Sequence, residues 1–260
     1  MSSTLVLPKK NIVERAQISD DHYWKGLYRL SGMLLIFNAI LSLFAAYTGR
    51  ILYASGYPSN PEAYLQLISQ HQQLASFTWS LWIVIDILPF PIIFAMYIIL
   101  QRYNKILAAL GSLVAIFYAI YDVGVTELNS LTLVSLSHGY ALASSEAVKA
   151  SFVAAASYGY YALPLQTVLS FAIGPIAYLL WCVPMAKSFF GRWLAIFGAI
   201  VSIIGLLGSA APLIPSSYFL GLCQFICVRL IAIWTIFLGV QLYRYGRRLT
   251  TKVDNTLNIS

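Results

Sequence analysis

The chain has 260 residues, 60% of them hydrophobic and only 10% charged, with a mean hydropathy of +0.76. Soluble domains carry roughly 25% charged residues, so a soluble fold is excluded. The apolar residues fall in continuous runs of about 20, without the alternation of a barrel strand, which defines an all-α polytopic membrane protein. The net charge of +7 would suggest nucleic acid in a soluble protein. Here the basic residues stand between the runs, as topology signals facing lipid headgroups, and no nucleic-acid partner is expected.

Residues 1–28 are polar and lack the apolar core and cleavage site of a signal peptide. Ser19 with Asp20 and Asp21 reads as a helix N-cap, and Trp24 and Tyr28 suit the headgroup level. This segment is expected to form a short interfacial helix leading into span I, about 30–52. A Gly/Pro loop follows, and residues 61–75 are expected as a helical extension outside the bilayer, leading into span II, about 76–100. Span II holds Asp86, with Pro89 and Pro91 as a kink that frees carbonyls nearby. Span III, about 106–125, carries Gly111, Ala115 and Ala119 as a small-residue stripe for close packing, with Asp122 near its far end.

Residues 126–150 are moderately apolar but broken by Glu127, His138, Gly139 and Glu146. They are expected to continue helix 3 to a turn near 138–146, with a new helix from about Ser144. That helix is too long for a bilayer, so its first part should project beyond the membrane before span IV, about 163–186, bent by Pro164, Pro175 and Pro184. Span V is about 193–213, with Gly198, Gly205 and Gly208 on packing faces, and span VI is about 219–243. The domain division is therefore 1–28 as a cytoplasmic N-terminal segment, 29–243 as a six-helix transmembrane domain, and 244–260 as a basic cytoplasmic tail, disordered at its end. Of 16 Lys and Arg, Arg50 and Lys149 fall on the side opposite the termini and Arg229 within a span, which leaves 13 on the termini side. Both termini are therefore expected to be cytoplasmic, and the even number of spans follows.

The chemistry-bearing residues are few. Arg229 is the one full positive charge inside a span, and a charge at that depth needs a partner or water. Spans II and VI both run inward, which puts Asp86 at about the depth of Arg229. An Arg229–Asp86 pair is the leading expectation, with Asp122 as the alternative acid. It would fix the register of the bundle first, and only second form a polar site for an ion, a small solute or protons. Asp122 and Glu127 are five apart, off one another's face on an α-helix, so Glu127 is expected as a solvated end residue. No histidine lies at depth, which disfavours a haem pair. A metal set of His71, His138, Glu127 and Asp122 matches no recurring spacing, so neither metal nor cofactor is expected. Cys182, Cys223 and Cys227 lie inside spans as small hydrophobes. No lysine lies in a span for a retinal Schiff base, and no phosphate loop, catalytic triad or HExxH motif occurs. Tyr158, Tyr160 and Tyr161 read as part of an aromatic belt.

The opening span YRLSGMLLIFNAILSL, the loop EAYLQLIS and the segment GRWLAIFGAIVSIIGLLG resemble a family of uncharacterised bacterial and archaeal integral membrane proteins, a domain of unknown function, over residues 27–243. The resemblance implies a fold and no activity. Family members tend to carry an Arg and a Glu three apart in span III. This chain reads AIYD there, with Asp122 as the acid and Ala119 in place of the Arg. The first functional expectation is a non-enzymatic accessory or structural component of the cell membrane, with the lipid bilayer and other membrane subunits as partners. A small-solute or proton pathway is the alternative, and an intramembrane enzyme acting on lipid comes third.

Overall fold

The computed structural model describes residues 9–257 apart from Ser55 and Pro215, and side chains from Tyr23 to Leu249. All regular structure among the described residues is helical. Helix α1 (Lys9–Leu52) supplies span I, α3 (Gln72–Ile87) and α4 (Pro89–Leu100) together supply span II, and α5 (Lys105–Tyr121) and α6 (Leu128–Leu142) supply span III. Helix α7 (Glu146–Met185) is span IV, α8 (Arg192–Ser209) is span V and α9 (Tyr218–Leu257) is span VI. Short α2 (Pro61–Gln70) lies between spans I and II. Among the described residues, six helices are long and apolar enough to cross a membrane. The lipid-facing side is apolar: Met33, Phe37, Ile40 and Phe44 recur along α1 at helical spacing, all exposed.

The boundaries follow local chemistry. Asn60 caps α2 by accepting from the Ala63 N–H, and Pro61 follows where a missing N–H costs nothing. Asn104 caps α5 and Ser145 caps α7 in the same way. Pro89 divides span II, and the Ser31 hydroxyl donates to the Pro91 carbonyl across the α1–α4 contact. The extension before span II is interrupted at His71, so α2 is a separate helix and not a continuation of α3. The cap expected at Ser19 is absent, because α1 begins at Lys9 and runs through it without a break at residue 28. The tail is helical as far as Leu257, where a disordered end was expected; its last three residues lie outside the described ones.

Glycines set the closest contacts. A Cβ on Gly32 would stand 2.6 Å from the Tyr243 backbone nitrogen, so α1 and α9 touch backbone to backbone. Gly198 receives the Trp234 ring, Gly205 receives Cys227 and Pro175, and Gly208 meets the backbone of Gln224. Gly246 of α9 lies against Lys25 and Arg29 of α1, which puts the N-terminal part of span I and the C-terminal part of span VI at one end of the bundle.

Spans III and IV outrun the other spans. Span V, Arg192–Leu213, is about 33 Å long, close to a bilayer, whereas spans III and IV run to about 57 and 60 Å. The surplus of about 25 Å stands beyond span V at the end opposite the termini. There α2 packs on α6 and α7 around Tyr64, Leu65, Ile68, Leu133 and Tyr160. Tyr160 donates to the Pro58 carbonyl, and the rings of Tyr53, Tyr57, Tyr64 and Tyr160 pack together. Tyr158 and Tyr161 are exposed, whereas Tyr160 is not.

This cap has a pH signature. Burial first, and the neighbouring phenols second, push the hydroxyls of Tyr57 and Tyr64 above the ordinary value of 10.0. A folded value raised above the unfolded one contributes stability that is complete below the unfolded value and lost as pH climbs toward the folded value. The unfolding temperature in detergent should hold steady up to about pH 10 and fall above it. Tyr57→Phe should flatten that fall; an unchanged slope would show that the cap does not control it.

Candidate functional site

Two apolar cores run through the bundle. One, toward the termini, contains Ile92, Met96, Ala115, Ala177, Trp181 and Trp234; the other is the cap just described. A polar layer separates them on three spans. It holds Asp86 of α3, then Asp122, Thr126 and Glu127 at the junction of α5 and α6, and Ser170 of α7, all buried.

The junction of α5 and α6 is a π-helical turn, Asp122–Glu127, and the Leu128 N–H reaches back to the Val123 carbonyl. On an α-helix two residues five apart point about 140° away from each other. With i→i+5 hydrogen bonding they come onto one side. Glu127 is therefore only 4% exposed, which corrects the expectation of a solvated end residue. One carboxylate oxygen from each of Asp86, Asp122 and Glu127 lies within 4.8 Å of the other two. The helix rise puts Asp86 about 21 Å and Asp122 about 25 Å from the terminal end of their spans, so the cluster is roughly 10 Å below the level where span V stops.

The contacts of the cluster are incomplete. The Ser170 hydroxyl donates to Asp122 Oδ2 at 2.9 Å, and the Tyr118 hydroxyl also faces Asp122. Asp86 Oδ2, Asp122 Oδ1 and Glu127 Oε2 are buried without a partner. Thr126 points its hydroxyl toward Asp122 but makes no full hydrogen bond. The contrast is local, since Ser130, Thr132, Thr167, Ser202 and Thr235 all return their hydroxyls to a carbonyl one turn back. Two residues beyond Glu127, Asn129 donates to the Gly159 carbonyl and to Gln166, tying α6 to α7.

Arg229 takes no part in this cluster. Among the described residues no ion pair joins it to Asp86 or Asp122. Its guanidinium donates to the Phe225 carbonyl at 2.6 Å and lies 3.3 Å from the centroid of the Phe225 ring. The physical reason is azimuth: α9 packs chiefly on α1 and α8, whereas the acids face α7. The arginine side chain leans back along its own helix, as helical side chains do. The histidines stay apart as well, with His138 Nδ1 on Gln72 Oε1 at 3.0 Å. Among the described residues, the acidic trio is the one group of three or more such side chains close enough to share a cation.

Charge decides what such a group can do. Two like charges 4.8 Å apart repel by about 3–4 kcal/mol at an effective dielectric constant of 20. Three ionised carboxylates in a membrane interior need protons or a cation held between them. The sequence singled out Asp86 and Asp122, read Glu127 as a solvated end residue, and passed over Thr126, Tyr118 and Ser170. The readable signal was the apolar stretch after residue 125. Taken as membrane-spanning up to Leu142, it would have put Glu127 in the interior of the span.

The architecture is that of a multi-pass helical membrane protein with six candidate spans. The chain belongs to the family described as Domain of unknown function (DUF4386), which matches residues 30–247. No curated protein and no solved structure matches it.

The π turn gives a direct test of how the acids are positioned. A π turn is an α-helix with one residue too many, and a Cβ at Gly124 would meet nothing within 4 Å. Deleting Gly124 should leave Asp122 and Glu127 on one face, as an i,i+4 pair, and keep the unfolding temperature within a few degrees. Inserting an alanine after Gly124 should turn α6 by about 100° and eliminate folded protein. If both variants behave alike in size-exclusion profile and melting, the register argument fails.

Proposed function

We propose that the protein is a pathway for protons or small cations, with Asp86, Asp122 and Glu127 as the site that takes up the ion. The observation that carries this reading is three carboxyl groups, each with an unpartnered oxygen, sharing one buried space with no cationic side chain among them. Thr126, buried and incompletely bonded, adds a fourth oxygen that points the same way. Intramembrane acids of this kind mark ion pathways and proton relays. The 13-to-2 distribution of basic residues supports cytoplasmic termini in the cell membrane, and on that orientation the cluster lies nearer the outer surface. The accessory-subunit reading drew on small-residue stripes and on the sparseness of polar groups. Those stripes are taken up inside the bundle by Trp181, Trp234, Cys227 and Pro175, so they offer no surface to a partner.

Purified protein in liposomes loaded with a pH-sensitive dye, under a potassium diffusion potential, tests the reading. Proteoliposomes should dissipate an imposed proton or cation gradient, and Asp122→Asn should not. Wild-type vesicles no leakier than empty ones to protons, sodium and calcium would sink it.

A further inference from the structure

Directly below the acids, toward the terminal end, lies a cavity of about 50 Å³ enclosed by spans I to IV and VI. Pro89, Tyr118 and Gly174 line it, each about one helical turn from Asp86, Asp122 or Ser170. Asn38, Tyr178, Trp181 and Thr235 add polar groups to a wall that is otherwise mostly apolar. Two of these groups also have buried atoms without protein partners, Asn38 Oδ1 and Trp181 Nε1, the latter turned against Gly111 of α5. The contrast is Trp234, on the same wall, whose Nε1 donates to the Leu194 carbonyl at 3.0 Å. A dry cavity would leave the hydroxyl of Tyr178 on its wall without a partner, an unfavourable state for a buried polar group. Water both donates and accepts, and a space of this size holds roughly three to five molecules.

We propose that this cavity is a water-filled antechamber that exchanges protons with the acidic cluster through Tyr118, and that the proton is the ion the site carries. The inference rests on the reading of the cluster as an ion site. Tyr118 belongs to both compartments, with its ring in the cavity wall and its hydroxyl facing Asp122. A phenol passes a proton without net ionisation: it gives its hydrogen to the Asp122 carboxylate and takes one from a protonated water behind it. No bond other than O–H forms or breaks. A metal cation is a poor fit to the same space. Calcium takes six to eight oxygens, and beside Tyr118 this wall supplies one side-chain carbonyl oxygen, from Asn38, the hydroxyls of Tyr178 and Thr235, and indole N–H groups, which donate and cannot ligate a cation.

Radiolytic hydroxyl labelling of the full-length protein in lipid nanodiscs, read by mass spectrometry, tests for the water. Tyr118 and Tyr178 should be modified at least tenfold faster than Tyr28, which is fully enclosed in the apolar core. Equal rates overturn the antechamber. Tyr118→Phe then tests the relay in proteoliposomes, where proton flux should fall at least tenfold while the infrared carbonyl band of the protonated cluster persists. Asn38→Leu should also slow flux and bring no gain in melting temperature; a higher melting temperature with unchanged flux would mean the cavity is dry. If wild type passes protons and Tyr118→Phe passes them as fast, the relay falls and the transport reading survives. If wild type passes sodium or calcium but no protons, the relay falls and the transport reading survives; if it passes none of the three, both fall.

Discussion

Asp122→Asn is expected to slow ion flux in proteoliposomes by at least a hundredfold while leaving the bundle as stable as before, or more so. Asn keeps the oxygen that accepts from Ser170 at 2.9 Å, so the α5–α7 contact survives. Its amide becomes a donor to the unpartnered oxygen of Asp86 or Glu127. One of three crowded negative charges is removed, which relieves a repulsion of about 3–4 kcal/mol per ionised pair. Stability and transport should therefore move apart. A register-setting role would predict the reverse, with flux absent in both proteins and a lower melting temperature in the variant. Asp86→Asn is expected to behave in the same way, because its Oδ2 is also unpartnered.

Gly32→Val is expected to abolish folded protein. The new Cβ would fall 2.6 Å from the Tyr243 nitrogen and 2.7 Å from the Gly239 carbonyl oxygen. Both are backbone atoms, which cannot rotate aside, so the two longest contacting helices must separate along their seam. The cost exceeds the ordinary 1–3 kcal/mol of overpacking. Gly26→Val is the control, since nothing lies within 4 Å of a Cβ there. It should express and melt within a few degrees of wild type. Recovery from detergent as a monodisperse peak, followed by thermal melting, separates the two variants. Equal yields would mean that the α1–α9 seam does not hold the bundle together.

The spans were legible because membrane insertion is written as length and hydropathy, and neither depends on what a helix packs against. The turn near 138–146 falls where Leu142 ends α6 and Ser145 caps α7. The projecting first part of α7 follows from its length. Azimuth was not legible. The depth of Arg229 could be counted along the chain, but which neighbour it faces depends on how spans are arranged around one another, and α9 turns it toward its own Phe225. The acidic cluster was half legible for a different reason. Asp86 and Asp122 were visible as charges at depth, but the rule for shared faces assumed 3.6 residues per turn. A π turn changes that count locally, and no residue between 122 and 127 announces it. Gly124 is a weak hint that makes sense only once the turn is known.

The overhang of spans III and IV means that this chain is held together in two solvents. Inside the bilayer, helices gain little from the hydrophobic effect, because lipid tails are as apolar as leucine, and close packing of glycine seams takes its place. In the cap, water returns, and burying Tyr64, Leu65, Ile68 and Leu133 gives the entropic gain and heat-capacity change of an ordinary soluble core. Cooling and urea should therefore loosen the cap while the glycine-seamed helices below stay closed. The acidic cluster lies beside the boundary between these two regimes.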